Sequence, residues 1–334
     1  MKIDLKLTQI IIIVILFIFT FSNVAMAQTI TGDPLPSWNE GTNKQTIINF
    51  VENVTDPENP NYVAPELRIA TFDNDGTLWA EKPMYFQAAF SLSRIRELAP
   101  KFPEWKDKQP FKAVLENDQD YLANITVNEL LEIAMVTHAG MSQKEFEQEA
   151  KEFLDTAKHP RFNQLYKQVI YQPMLELLTY LQNKQFKTYI CSGGGLDFIR
   201  LFSEEAYDIA PENVIGSNIF KTYEIVSNHS QFIRQPQLIE PINDKAGKPV
   251  NIERFIGKKP MLAVGNSDGD IEMMQYTVIE HQPSLALLLH HDDEIREYRY
   301  TKGTEKALEL AKEYNWKVIS MKQDFKQVFS FTSE

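Results

Sequence analysis

Ile69-Ala70-Thr71-Phe72-Asp73-Asn74-Asp75-Gly76-Thr77-Leu78 decides the reading of the fold. With Leu67 and Arg68 before it, the run to Phe72 predicts a short buried strand, and the polar residues behind it predict a turn at its carboxyl end. Two more strand ends carry concentrated polar chemistry. Ser192-Gly193-Gly194 follows a strand over 186–191, and Gly265-Asn266-Ser267-Asp268-Gly269-Asp270 follows one over 260–264. In a parallel sheet such turns converge on one edge, where a site can be assembled from distant parts of the chain.

Outward from these turns, helices over 173–183, 251–256, 270–276 and 304–314 alternate with strands over 186–191, 260–264 and 285–289. After Ser192 a further helix runs to 205. This alternation predicts an α/β fold with a doubly wound, mostly parallel, Rossmann-like sheet. Residues 83–167 differ, being helical throughout with amphipathic stretches over 84–99, 110–122, 127–138 and 143–157. Thr126 with Glu129 and Ser142 with Glu145 have capping-box spacing. The segment reads as an all-helical subdomain inserted into a core formed by 43–82 and 168–334. Residues 214–240 read as a hairpin or flap, and 28–42 as a leader over the surface.

The chain has 334 residues, 43% of them hydrophobic, enough for a sizeable core. Against 34 Lys and Arg stand 46 Asp and Glu, a net charge of -12 that repels nucleic acid and anionic membranes. Cys191 is the single cysteine, which excludes internal disulfides and thiolate zinc sites. At the start, Lys2 and Lys6, the apolar run 10–19 and Ala25-Met26-Ala27 have the form of a secretory signal peptide over 1–27. Cleavage would remove Lys2, Lys6 and Asp4, leaving -13 on a protein expected in the bacterial periplasm with no stable membrane insertion.

Simpler explanations fit poorly. An EF-hand loop begun at Asp73 or Asn266 wants Gly sixth and an acid twelfth, where Leu78 and Met84, or Ile271 and Thr277, stand instead. Ser192 lacks a G-x-S-x-G elbow, and there is no P-loop.

In this order the three turns resemble the motifs of the haloacid dehalogenase (HAD) superfamily of aspartate-nucleophile phosphatases, across about residues 65–292. Motif I corresponds to Asp73-Asn74-Asp75-Gly76-Thr77, motif II to Ser192, the motif III lysine to Lys248, and motif IV to Gly265 through Asp270. Lys258 and Lys259 are rivals for motif III but abut the strand at 260. The helical insertion is similar to a C1 cap, with a flavour nearest the phosphoserine-phosphatase-like branch.

The resemblance implies an Mg2+-dependent phosphomonoester hydrolase acting on a small phosphorylated metabolite through an aspartyl phosphate. Asp73 would be the nucleophile and Asp75 the general acid and base. Ser192, the Gly193 N–H and Lys248 would hold phosphoryl oxygens, using a helix N-terminus and one cation. Thr77, Glu81 and Gly194 would also contact substrate, Glu81 near an amino group. Metal ligands would be Asp73, the Asp75 carbonyl and motif IV. There Asn266 replaces the first acid, so Asn266, Asp268 or Asp270 completes the set. A phosphotransferase and a retired binding scaffold share these motifs, and oligomeric state is not readable. His138, on the cap, and His290-His291 are weaker candidates.

Overall fold

In the computed structural model, which describes residues 32–280 and 283–331, seven strands form one sheet in the order β4-β3-β2-β1-β5-β6-β7. The signal segment 1–27 and the first residues of the leader lie outside the described residues. The strands are β1 (Ile69–Phe72), β2 (Lys187–Gly195), β3 (Val214–Val226), β4 (His229–Ile239), β5 (Leu262–Gly265), β6 (Leu285–His290) and β7 (Lys317–Ser320). All neighbours pair in parallel except β3 and β4, which form an antiparallel hairpin at one edge. β1 is buried at every position, as a central strand covered on both faces must be.

Register brings the site together. Phe72 pairs with Ile190 on one side and Val264 on the other. Asp73, Ser192 and Asn266 therefore gather at the same edge, beside the point between β1 and β5 where the winding reverses. The order of β7 was not read from sequence, because Lys317 and its charged surroundings dilute a strand that buries only Ile319 fully.

The inserted segment contains α2 (Phe86–Leu98), α3 (Phe111–Glu116), α4 (Gln119–Ala123), α5 (Val127–His138) and α6 (Gln143–Thr156), after an earlier α1 (Thr42–Thr55). Asn117, with φ 56°, breaks the helix expected over 110–122 into α3 and α4. Both capping boxes form: Glu129 N–H donates to Thr126 and Glu145 N–H to Ser142, with the carboxylates returning to the cap N–H groups. Each such cap stabilises its helix by about 1 kcal/mol.

The leader differs from its expected surface course. Leu35 and Trp38 are fully buried, and Trp38 Nε1 donates to Pro173 O at 3.0 Å while its ring meets Phe325 edge-on. Two large apolar side chains outweigh the polar residues around them. Among the described residues no helix is long and apolar enough to cross a membrane.

Candidate active site

Asp73 follows β1 directly, its N–H held by Val264 O at 2.9 Å. Its Oδ1 lies 2.7 Å from Lys248 Nζ, which also reaches Asp270 Oδ1 at 2.5 Å. Lys248 stands in the first turn of α10 (Gly247–Ile256). A Cβ on Gly247 would sit 1.8 Å from Ile242 O, so glycine lets this helix begin hard against the preceding loop and aims the lysine inward. Burial opposes the Lys248 charge, but the Asp270 and Asp73 carboxylates outweigh it and hold the ammonium above the usual lysine range. Burial pushes the Asp73 carboxyl upward, against the pull of Lys248.

Asp75 takes a hydrogen bond from Trp79 Nε1 at 2.7 Å on its Oδ1. Burial raises its carboxyl to about 7, with the Trp79 N–H pulling the other way. A carboxyl with that value exchanges a proton near neutrality, as a general acid and base must. Gly76, at φ +75°, turns the chain away from the site. Thr77 is consequently fully buried and donates to Asn266 Oδ1 at 3.2 Å. Thr77, expected to contact substrate, thus supports Asn266 and is not among the residues lining the cavity described below.

Glu81 is only 6% exposed, with Lys82 Nζ 3.4 Å away. A Cβ on Gly76 would lie 2.1 Å from Asn266 Nδ2 and 2.9 Å from Glu81 Cδ, so amide and carboxylate crowd the same glycine.

On the other flank, β2 runs on through Gly193 and Gly194 to Gly195, and its pairing with β3 shifts between Ser192 and Gly195. This irregularity turns the strand end toward the cavity. Gly194 N–H donates to Ser192 Oγ at 3.1 Å, and Gly195 N–H to Gln87 Oε1 on the cap at 2.7 Å. The helix that follows, α8 (Leu196–Arg200), has five residues. The expected helix N-terminus is therefore replaced by the hydroxyl, the bulged backbone and Lys248. Asp73, Asp75, Glu81, Ser192, Gly193, Gly194 and Lys248 all line one cavity of about 550 Å3.

Motif IV resolves into separate tasks. Asp270 Oδ2 accepts from the N–H groups of Asn266 and Ser267, both at 3.0 Å, while Oδ1 holds Lys248. Both oxygens having protein partners, Asp270 shapes the turn and pins the lysine. Asp268 Oδ1 accepts from Ala307 N at 2.8 Å, which commits it to the start of α12 (Glu305–Glu313). Asn266 has a buried polar atom without a partner, its Nδ2.

A family model described as HAD, haloacid dehalogenase-like hydrolase, matches residues 70–275, the span from β1 through most of α11 (Ile271–Val278). The chain belongs to that family. No curated protein matches it. A conserved functionally unknown protein from Anaerococcus prevotii DSM 20548 is 14% identical, with a TM-score of 0.57 over 91% of this chain and 100% of that one. A phosphoserine phosphohydrolase-like protein from Francisella tularensis subsp. tularensis SCHU S4 is 18% identical, with a TM-score of 0.41 over 77% and 95%. A probable phosphoserine phosphatase from Vibrio cholerae is 14% identical, with a TM-score of 0.39 over 80% and 70%.

In this HAD hydrolase, among the described residues, no three His, Cys, Asp or Glu side chains gather closely enough to hold a metal. A mixed set still fits. Exchanging Asn266 Oδ1 and Nδ2 by rotation would let the amide nitrogen donate to Thr77 Oγ1 and turn its oxygen to the unpartnered side, beside Gly76. Together with Asp73 and the Asp75 carbonyl this offers the oxygen donors that a hard cation prefers.

Asn243 and Arg234, which were not singled out in the sequence, and His291, a weaker candidate there, hold the HAD hydrolase site. Asn243 Nδ2 fixes Ser192 O at 2.8 Å, and His291 Nε2–H donates to Gly76 O at 2.7 Å. On β4, Arg234 donates to His138 O at 2.9 Å and Gln143 Oε1 at 2.7 Å, and pairs with Asp197. Strand alternation gave no signal for Arg234, because Phe232 on the same face is exposed while Arg234 is buried. Lys258 and Lys259 reach only the backbone carbonyls of Glu66 and Ile279. Cys191 is fully buried, and burial pushes its thiol up to about 12, so it stays protonated and inert.

Proposed function

We propose that this hydrolase is an Mg2+-dependent phosphomonoesterase acting on a small phosphorylated compound through an aspartyl phosphate. The observation that carries the reading is the meeting of Asp73 with Lys248 at 2.7 Å, in one cavity with Asp75 and Ser192. Asp73 attacks phosphorus, and the P–O bond to the alcohol breaks while Asp75 delivers the proton to the leaving oxygen. Asp75 then takes a proton from water as it attacks the phosphoaspartate, which releases phosphate and restores Asp73. Ser192 Oγ and Lys248 Nζ hold the equatorial oxygens throughout. A bound Mg2+, held by Asp73, the Asp75 carbonyl and Asn266, supplies the charge that lets a carboxylate meet a phosphate dianion. We also infer export, on the form of residues 1–27; the net charge of -12 supports a small-molecule substrate over nucleic acid.

The test is phosphate release from phosphomonoesters with Mg2+ or EDTA, beside Asp73→Asn. Turnover that needs the metal and vanishes in the variant is the expected result. A wild type as silent as the variant across esters and metals overturns the reading and favours a retired binding scaffold, to which the charge lost at Asn266 would then point. Export predicts a mature chain beginning at Gln28, read by mass spectrometry of the periplasmic fraction.

A further inference from the structure

The cavity continues past its catalytic end beneath the cap. Leu130, Leu131 and Met135, with Ala134 between them, recur along α5 at the spacing of one helix face, and each is half-buried against open space. Phe198, Ile219 and Leu238, from α8, β3 and β4, complete the apolar lining. A volume of about 550 Å3 lies within the range of small-molecule sites.

Past the catalytic end, the buried charges along this lining are already paired. Arg234 and Asp197 pair with each other, and Lys221 Nζ reaches the same carboxylate at 2.7 Å. The Arg234 guanidinium also covers the Phe146 ring at 3.8 Å. Glu81 stands beside Lys82, and Asp244 is exposed to solvent. Among the residues lining the cavity, the buried polar atom without a partner is His138 Nε2, on a side chain 2% exposed. Its Nδ1 stands 2.8 Å from Ala134 O and 2.6 Å from Thr137 Oγ1; with that hydroxyl donating to Ile133 O at 2.7 Å and a carbonyl only accepting, Nδ1 carries the proton and Nε2 is a bare acceptor. Burial beside Arg234 pushes the His138 pKa down to about 3, so the ring is neutral. A neutral acceptor gives nothing to a carboxylate. An apolar wall gives nothing to any unpaired charge, which would lose its hydration there without return.

We propose that this site takes phosphomonoesters whose alcohol is an uncharged, mainly apolar body, seated between α5 and the β3–β4 hairpin. This rests on the phosphatase reading for the phosphate end only. A phosphoamino acid fits poorly, because Arg234, the cation a carboxylate would need in this chamber, is committed to Asp197. An aryl ring and an alkyl chain offer the same chemistry, and the test separates them.

The full chain carrying Asp73→Asn is titrated calorimetrically with 1-naphthyl phosphate, n-hexyl phosphate, O-phosphoserine, phosphocholine and inorganic phosphate, so that binding is read without turnover. At least one apolar ester is expected to bind ten-fold or more tighter than inorganic phosphate, with phosphoserine and phosphocholine no tighter than phosphate. Naphthyl over hexyl marks a ring site, the reverse a chain site; either supports the proposal. Phosphoserine or phosphocholine matching the better apolar ester overturns it, as does phosphate binding as tightly as both esters. Adding Met135→Glu should cut the ratio of apolar ester to phosphate affinity at least ten-fold. Because that ratio is taken within one protein, partial unfolding cancels, and an unchanged ratio counts against the chamber. Wild-type phosphate release reads the catalytic assignment separately; if neither esters nor phosphate bind, both readings fall.

Discussion

Lys248 and Asp73 stand 175 residues apart in the chain and 2.7 Å apart in the folded protein. Their side chains are 3% and 9% exposed, and Asp270 shares the same ammonium. Removing one partner of such a pair leaves charge buried without compensation, which costs about 3–5 kcal/mol. Lys248→Met, unfolded by urea in EDTA, is expected to lose stability of that order and to release phosphate at least 100-fold more slowly. Wild-type stability in this variant would show that the triad does not hold the strand ends together.

Asn266 brings an oxygen but no charge to the place where the metal is proposed to bind. Asn266→Asp adds that charge beside Asp73 and Glu81. Without metal the variant should melt below wild type, from carboxylate repulsion, and Mg2+ should raise its melting temperature by more than it raises that of wild type. Equal Mg2+ shifts in the two proteins would remove Asn266 from the ligand set.

Gly76 and Gly140 form a matched pair for separating strain from collision. Both have positive φ, 75° and 78°, but a Cβ on Gly76 meets Asn266 Nδ2 at 2.1 Å while one on Gly140 meets nothing within 4 Å. Alanine at Gly140 is expected to cost only the left-handed penalty of about 1–2 kcal/mol. Alanine at Gly76 should cost more and also suppress phosphate release. Equal losses in the two unfolding curves would mean that the motif I loop yields without disturbing Asn266.

His138 gives a pH dependence whose sign is fixed by its environment. Arg234 on β4 and Arg94 on α2 oppose its charge, Asp197 on α8 favours it, and burial dominates, bringing the folded pKa to about 3. The unfolded chain takes up the proton near pH 6.5 and the folded one does not, so stability falls as pH drops from about 6.5 toward 3. His138→Gln lacks this term. Between pH 7 and 4.5, wild type should lose roughly 2 kcal/mol more than the variant in urea unfolding. Parallel losses would indicate that His138 is protonated in the folded protein.

The strand ends were legible because each is local: an apolar run followed within two residues by a polar turn announces both the strand and its edge. Lys248 was legible only through the resemblance, as its motif III lysine, and the capping boxes by their three-residue spacing. What sequence could not give were choices made across the fold. Thr77 and Asp270 have residue types fit for ligand contact, but the turn at Gly76 and the N–H groups of Asn266 and Ser267 claim them first. Leu35 and Trp38 lie in a stretch whose composition reads as surface, and only the cleft beside Pro173 and Phe325 makes them core. Arg234 is one residue in a polar hairpin until α5, α6 and α8 are packed around it.

The cap is sewn to the core from two sides: by the chain that enters and leaves it, and by Arg234, whose backbone N–H and C=O also bond Met141 and Gly140. Such a roof is tied down along the hairpin as well as where the chain enters and leaves it. Entry would then be graded by the girth of the ester presented, and solvent viscosity would slow large and small substrates alike. Selection of this kind begins before any contact with Asp73 is made.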